Sequence, residues 1–409
     1  MSRRHIATNV IALYAVQGMQ YVFPLMVLPI ITRSIGPDRY GLLSFWQALA
    51  ALLSLVVDYG FNYTSIRALN QTDSVECRSA IFWSTAWAKL VLLFPASIIL
   101  VIASVSVPNE APPFLVFAAW LSVLGAAISP AWFFIATRQN VAAAVISAGA
   151  SLVSLLAMWL FVSIPSDFNR AALIQLGMPL VAAIALSMYR WAKLNAGTPR
   201  FDAKDVALRL REGFPLFVMT LGAGAYSSFN PFLLGLVSTS PQIADYALGE
   251  RLVRAAKNTV QPILVAMYPY AAEGDRGSNT LRTNLRRAGV ATLALSVVVS
   301  LVLAVLSPFA IWVVSGTAFV GAISTTRILS ANVAVITAGH LIGVQYLVAR
   351  GRERLVTIIT VVAVPIHVVT FMVAGHRFGA VGGAIAYVGV ECLVTIAFGV
   401  VAINLRKSN

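Results

Sequence analysis

The chain has 409 residues, of which 59% are hydrophobic and only 11% charged, and its mean hydropathy is +0.84. Soluble domains carry roughly 25% charged residues, so a water-soluble globular fold is excluded and a lipid-facing surface is indicated. The formal net charge of +14 does not signal nucleic acid, because no run of Lys and Arg exceeds two and no basic block is interleaved with stacking aromatics.

A helix needs about 20 apolar residues to cross the hydrocarbon core. On that ruler the sequence predicts an all-α polytopic membrane protein with twelve spans. The first six are 8–32, 41–63, 80–107, 113–136, 140–164 and 170–189. The second six are 213–238, 244–270, 288–314, 322–349, 355–375 and 379–404. The start, Met1 to His5, runs straight into apolar sequence without a small-residue cleavage site, so it reads as a retained first helix. Between the first two spans, Pro29 to Gly41 holds Arg33, Asp38, Arg39 and the pair Gly36-Pro37, and reads as a tight outer hairpin. Tyr40 is expected at the membrane interface, where amphipathic rings gather.

An even number of spans puts both termini on one side, and charge selects the side. With the amino terminus inside, 20 of the 29 Lys and Arg residues fall in inner segments. Only four, Arg33, Arg39, Arg170 and Arg377, fall in outer gaps. Both termini are therefore expected in the cytoplasm. The longest inner gap, 190–212, separates an amino-terminal six-helix lobe, 1–189, from a carboxy-terminal lobe, 213–409. Within the gap, Phe201 to Glu212 reads as an amphipathic connector helix with Asp202 as N-cap and Val206 and Leu210 on its apolar face. A faint internal repeat pairs Pro24 and Tyr40 with Pro231 and Tyr246, as in transporters built from parallel repeats. Cys77 lies in a polar gap and Cys392 in an apolar run, a placement that makes no disulfide framework.

Ionisable residues inside spans are the informative ones, because each costs about 2.5–3.5 kcal/mol at mid-membrane without compensation. On the eighth span, Glu250, Arg254, Lys257 and Gln261 fall within about 60° of one another, flanked by Arg251 and Asn258. Lys257 would lie about 17 Å from Tyr246 along the helix. Such a face must border water or a polar partner. Lys89 in the third span and Arg327 in the tenth add cations that face either a lumen or, by snorkelling, an interface. Asp58 stands near the inner end of the second span, and Glu391 in the last span must pair with a cation or be protonated. His340 is either a titrating group or part of a helix-packing site with Gly339 and Gly343. The spans thus hold Lys89, Arg251, Arg254, Lys257 and Arg327 against Glu250 and Glu391. That predicts a central cationic cavity between the lobes, suited to a diphosphate. Prolines recur inside the spans, and Asn230-Pro231, after the small-residue run 221–228, predicts a broken, cavity-lining helix.

The stretch from Phe23 to Gly41, FPLMVLPIITRSIGPDRYG, resembles the first hairpin of Wzx-type O-antigen flippases, whose turn reads T-R-x-[LI]-G-P-x-x-[YF]-G. The resemblance continues through Asp58-Tyr-Gly-Phe-Asn62 and Arg67, and through Glu212-Gly-Phe-Pro-Leu-Phe217. Asp245-Tyr246 stands where the family usually has a Gly-Tyr pair. These transporters belong to the multidrug/oligosaccharidyl-lipid/polysaccharide exporter superfamily. The resemblance implies a flippase moving undecaprenyl-diphosphate-linked oligosaccharide repeat units from the inner to the outer leaflet of the bacterial plasma membrane. It also implies alternating access, surface-polysaccharide or O-antigen synthesis as the setting, and a polysaccharide polymerase and chain-length regulator as further partners.

On this reading Lys89, Arg251, Arg254, Lys257 and Arg327 bind substrate, and Asp58, Glu250 and Glu391 are candidate ion-coupling groups. Arg33, Gly36, Tyr40, Arg67, Asn230 and Pro231 are motif or gating positions. No lysine follows a glycine, so there is no Walker A motif, and neither ATP nor another cofactor is expected. The alternative is a membrane-embedded polysaccharide polymerase or ligase. The thin outer gaps hold no acid/base or nucleophile constellation, so a non-enzymatic transporter is preferred. An exporter of cationic drugs would carry a more acidic lumen.

Overall fold

A computed structural model describes residues 3–106, 112–193, 198–227, 229–272 and 279–408. The predicted outer gap around Glu110, Ser228 of the small-residue run and the inner gap around Arg276 lie outside the described residues. Among the described residues every regular element is helical. The helices are α1 (Arg3–Asp58), α2 (Phe61–Asn70), α3 (Val75–Ser106), α4 (Pro113–Ile128), α5 (Ala131–Ala136), α6 (Asn140–Phe161) and α7 (Phe168–Lys193). They continue as α8 (Ala203–Ser227), α9 (Asn230–Gly235), α10 (Ser240–Ala272), α11 (Asn279–Ser315), α12 (Gly321–Ile342) and α13 (Glu353–Ser408).

Eight described segments are long and apolar enough to cross a membrane. They present Phe94, Val105, Trp159 and Val305 outward, which fits lipid and not water. The chain is a multi-pass membrane protein. Two of the eight segments, Val22–Asn70 and Glu353–Leu405, contain a glycine break. Gly36 has φ +74° and ψ 175°, a region essentially reserved for glycine, and splits α1 where the hairpin was predicted. Gly379, with φ +59°, splits α13 between the predicted eleventh and twelfth spans. The helices bearing the predicted seventh and eighth spans, α8 and α10, are not among the eight. α8 begins with Lys204, Asp205, Arg209, Arg211 and Glu212, and α10 carries the stripe at 250–257.

Several expected boundaries move. The second span was predicted to run to residue 63, but α1 stops at Asp58, because Tyr59 and Gly60 both have positive φ, +45° and +77°. Asp58 is thus a helix end, and Arg67 lies on the separate helix α2. The fourth span divides at Ser129-Pro130 into α4 and α5. The connector does not stand apart: α8 starts at Ala203, behind an Asp202 Oδ1 that accepts the Lys204 amide at 2.8 Å, and continues into the predicted seventh span as far as Ser227. Val206 is buried with Phe61 and Ala88, and Leu210 packs against them. Tyr40, expected at an interface, is fully buried, and so is Tyr246. Both rings fill the protein interior instead of meeting headgroups.

By packing, the chain forms two compact units, Met1–Phe232 and Leu233–Asn409, so α8 groups with the amino-terminal unit. In that unit α1 packs on α4 and α6, α4 on α7, and α3 on α8. Phe82, Trp132, Phe133 and Leu69 form one of its aromatic cores. Arg190, which counted among the inner-loop cations, is buried against this core with its guanidinium 3.9 Å from the Phe82 ring centre. In the carboxy-terminal unit α12 is central and packs on α10, α11 and α13. The Gly339/Gly343 pair allows close approach here, because a methyl group on either glycine would press on Thr395 or Phe398 of α13. The packing reading of that motif therefore holds.

Candidate functional site

The ionisable residues predicted inside the spans fall into two groups, one in each unit. In the amino-terminal unit, Lys89 is 2% exposed, and its ammonium lies 2.9 Å from Asp58 Oδ1. It also donates to the carbonyl of Ser129 at 3.2 Å. Both partners stand at helix ends: Asp58 closes α1, and Ser129 follows α4. A cation is favoured at a helix carboxy terminus, where carbonyls point out unpaired. One buried lysine thus ties two helix breaks together. Ser65 and Thr85, also buried, share a 2.9 Å hydrogen bond between the short helix that follows the first break and the lysine-bearing helix α3.

The sequence expectation placed Lys89 among substrate-binding cations and Asp58 among ion-coupling acids, in separate roles. The structure brings them into one pair, so the charge of Lys89 is answered within its own unit. Arg67 is exposed and lines a cavity of about 310 Å³ with Tyr63, Thr64, Glu212, Pro215 and Leu216. Tyr59, at the break, stacks on Phe217 with centroids 4.5 Å apart. Two stretches singled out by the resemblance, 58–62 and 212–217, therefore meet. At the hairpin, Arg39 donates to the Pro165 carbonyl and lies over the Phe168 ring. Arg33 is exposed.

In the carboxy-terminal unit the stripe lies on one uninterrupted helix, α10, whose 33 residues span about 50 Å. No break interrupts it near residue 258. Glu250 is 9% exposed and accepts from Arg254 Nη2 at 3.3 Å, while the Arg254 side chain is half exposed. Lys257 interacts electrostatically with Glu250, Arg254 and Glu391. Glu391 is itself 9% exposed and lies beyond the Gly379 break of α13. The lone carboxylate of the last helix thus has its cation. Three cations, Arg251, Arg254 and Lys257, face two carboxylates, so the cluster carries a smaller positive excess than a list of cations suggests. Arg327 is exposed on α12, next to Thr326, which touches Gly249 of α10. Asn230 is fully buried, and Pro231 sits in the first turn of α9, which begins at Asn230 after α8 ends at Ser227. Among the described residues no group of His, Cys, Asp and Glu is arranged to hold a metal.

Two polar anchors escaped the sequence reading. Gln242 Oε1 accepts the Ala380 amide at 2.8 Å, and Asp245 sits against Gly321 and the Ala322 amide at the start of α12. The first turns of α10 are therefore pinned to α12 and α13. The only local hint was the pair of polar residues three apart ahead of an apolar stretch.

An all-helical, multi-pass chain with ionisable side chains held inside its helices has the build of a membrane transporter. The fold agrees: the structure is similar to a chain described as "Lipid II flippase MurJ, inward closed conformation" (TM-score 0.77, 10% identity, covering 95% of this chain and 86% of that one). It is also similar to an inward-facing multidrug resistance MATE family transporter of the MOP superfamily (TM-score 0.72, 15% identity, 97% and 98% coverage). In sequence, the family described as Polysaccharide biosynthesis protein matches residues 6–274, and the chain belongs to that family. A protein of Escherichia coli (strain K12) named "Putative O-antigen transporter" is 26% identical over 397 residues, covering 95% of this chain and 94% of its own. One of the same name from Shigella dysenteriae is 25% identical over 410 residues.

Proposed function

We propose that this protein is a flippase for lipid-linked oligosaccharides, carrying undecaprenyl-diphosphate-bound repeat units from the inner to the outer leaflet of the bacterial plasma membrane for O-antigen or related surface polysaccharide. The observation that carries the reading is the α10 stripe. Glu250, Arg251, Arg254 and Lys257 occupy little more than two turns of a long helix in a chain whose family is that of polysaccharide biosynthesis. Arginine forks and a lysine point charge suit a diphosphate, and the prenyl tail can stay in lipid while the polar head passes. The names of the two sequence relatives and the flippase-like fold support the same reading.

On this proposal the chain crosses the membrane twelve times with both termini in the cytoplasm. Its lobes, 1–189 and 213–409, joined through 190–212, enclose a cationic cavity and work by alternating access. Arg251, Arg254, Lys257 and Arg327 contact substrate. Lys89 joins them only in a state in which Asp58 releases it, and Asp58, Glu250 and Glu391 are the groups through which an ion could couple. Gly36 and Asn230-Pro231 are points of bending, and Arg33, Tyr40 and Arg67 hold the flanking turns. The protein supplies a polymerase and its chain-length regulator with outer-leaflet substrate, and performs no covalent chemistry itself.

The test is the fate of lipid-linked sugar in a strain lacking the protein, read with an impermeant sugar label on intact spheroplasts. Single repeat units trapped on the inner leaflet are expected. Unpolymerised units accessible on the outer leaflet would overturn the flippase reading in favour of a polymerase or ligase.

A further inference from the structure

The stretches 58–62 and 212–217 meet beside the cavity of about 310 Å³ that Arg67 lines. Helical spacing builds the walls. Tyr63, Thr64 and Arg67 stand at i, i+1 and i+4 on α2, and Glu212, Pro215 and Leu216 at i, i+3 and i+4 on α8, so each helix turns one face to the space. Two glycines let the helices approach: a methyl group at Gly60 would press on Leu216, and one at Gly213 on the Tyr59 ring. The break that ends α1 thus seats α2 against α8. All six lining residues belong to the amino-terminal unit.

The lining is chemically mixed. Tyr63 and Arg67 are exposed, and the Glu212 side chain, 38% exposed, is paired with Arg209 at 2.9 Å. Arg67 and Glu212 share the cavity without forming an ion pair with each other. Thr64 is 6% exposed, and its hydroxyl has no hydrogen-bond partner among the described residues. A helical threonine ordinarily returns its hydroxyl to the carbonyl four residues back, as Thr85 and Thr137 do here. Thr64 makes no such bond, and a donor and an acceptor are left in the cavity wall.

We infer that this cavity is a sugar subsite, holding one pyranose ring of the oligosaccharide on the cytoplasmic side of the membrane. The inference rests on the flippase reading for its substrate class, and on the charge distribution, which places Arg67 on that side. A sugar hydroxyl both donates and accepts, so a ring is matched by donors, acceptors and mixed groups set side by side. The Arg67 guanidinium donates only, the Glu212 carboxylate accepts only, and the hydroxyls of Tyr63 and Thr64 do both. The C–H faces of a pyranose are apolar, and Pro215, Leu216 and the Tyr63 ring offer matching surface. A phosphate only accepts, so the carboxylate in the lining opposes it. The volume lies at the small end for ligand pockets and suits one ring, not a whole repeat unit. Recognition is then divided, with the diphosphate assigned to the α10 stripe and a sugar to the amino-terminal unit.

The full-length protein in lipid nanodiscs is titrated with the repeat-unit oligosaccharide, released by mild acid from the lipid-linked pool of the deletion strain. Saturation-transfer NMR reads the binding, with inorganic phosphate as competitor. Transfer concentrated on the protons of one ring is expected. Arg67→Met should weaken binding roughly tenfold and Thr64→Val roughly threefold. Thr64→Val should do so with its Tm at the wild-type value or above, because it removes a buried hydroxyl that the fold leaves unsatisfied. A lowered Tm with unchanged affinity in Thr64→Val would make that hydroxyl purely structural and overturn the subsite. So would undiminished binding in both variants, displacement of the sugar by phosphate, or transfer spread evenly over all rings. The spheroplast assay decides the flippase reading separately: inner-leaflet trapping without sugar binding here would remove the subsite alone.

Discussion

The two units treat their charges in opposite ways. In the amino-terminal unit a single lysine is buried, paired with one carboxylate and hydrogen-bonded to one carbonyl, and its partners are helix ends. In the carboxy-terminal unit three cations and two carboxylates share a face reached from two helices, and Arg254 stays half exposed. The first arrangement is saturated and holds structure. The second holds one more cation than carboxylates, which on the proposed function suits a transient anionic ligand. Buried pairs contribute little net stability, yet breaking one by removing a single partner is costly, so the two clusters should respond differently to the same kind of mutation.

The largest effect is expected for Arg254→Ala/Lys257→Ala. Each lost charge-assisted contact is worth about 1.5–3 kcal/mol, so surface polysaccharide in a complemented deletion strain should drop by more than roughly tenfold at normal protein level. Full complementation by the double variant would remove the stripe from the mechanism. Lys89→Met should act on folding instead, destabilising the protein by about 3 kcal/mol, the low end for a buried pair because Asp58 is about one-third exposed, and lowering its level in the membrane. Asp58→Asn in the same chain should restore part of that loss, because the two residues are coupled. A strictly additive double variant would mean that the pair does not hold the breaks together.

A smaller effect distinguishes the carboxylates. Glu391→Gln removes a counter-charge from Lys257, whereas Glu250→Gln also turns the charge-assisted hydrogen bond from Arg254 into a weaker neutral-acceptor one, so substrate turnover should fall more in the second. Equal losses would show that the stripe acts only through its summed charge. The smallest effect lies at the breaks: Gly36→Ala and Gly379→Ala each force an alanine into a glycine region at about 1–3 kcal/mol. Gly379→Ala should cost more in thermal unfolding, since its methyl group also meets Gln242.

Much of this was legible in the sequence, and the limits have physical reasons. Apolar run length and the Gly36-Pro37 turn located the first hairpin, and helical periodicity placed Glu250, Arg254 and Lys257 on one face. These depend only on neighbours in the chain. The Asp58–Lys89 pair does not, because nothing local tells a buried lysine which carboxylate will meet it. The end of α1 at Asp58 was hidden for a related reason: Tyr59 takes a positive φ that its residue type does not announce. Tyr40 misled because a tyrosine at a span end suits a headgroup region and a packed interior equally well. The continuity of α8 through the connector was masked by a change of solvent along one helix, from charged turns to apolar ones, which hydropathy reads as a boundary.

The hairpin glycine carries one more consequence. A side chain at Gly36 would find no atom within 4 Å, so crowding does not reserve the position. Handedness does: φ +74° and ψ 175° are the mirror image of ordinary extended backbone. A D-alanine introduced by semisynthesis should be accepted where L-alanine is strained. A scan through all the coded amino acids would then find one tolerated residue at a place that touches nothing, a constraint written in stereochemistry and invisible to any inventory of contacts.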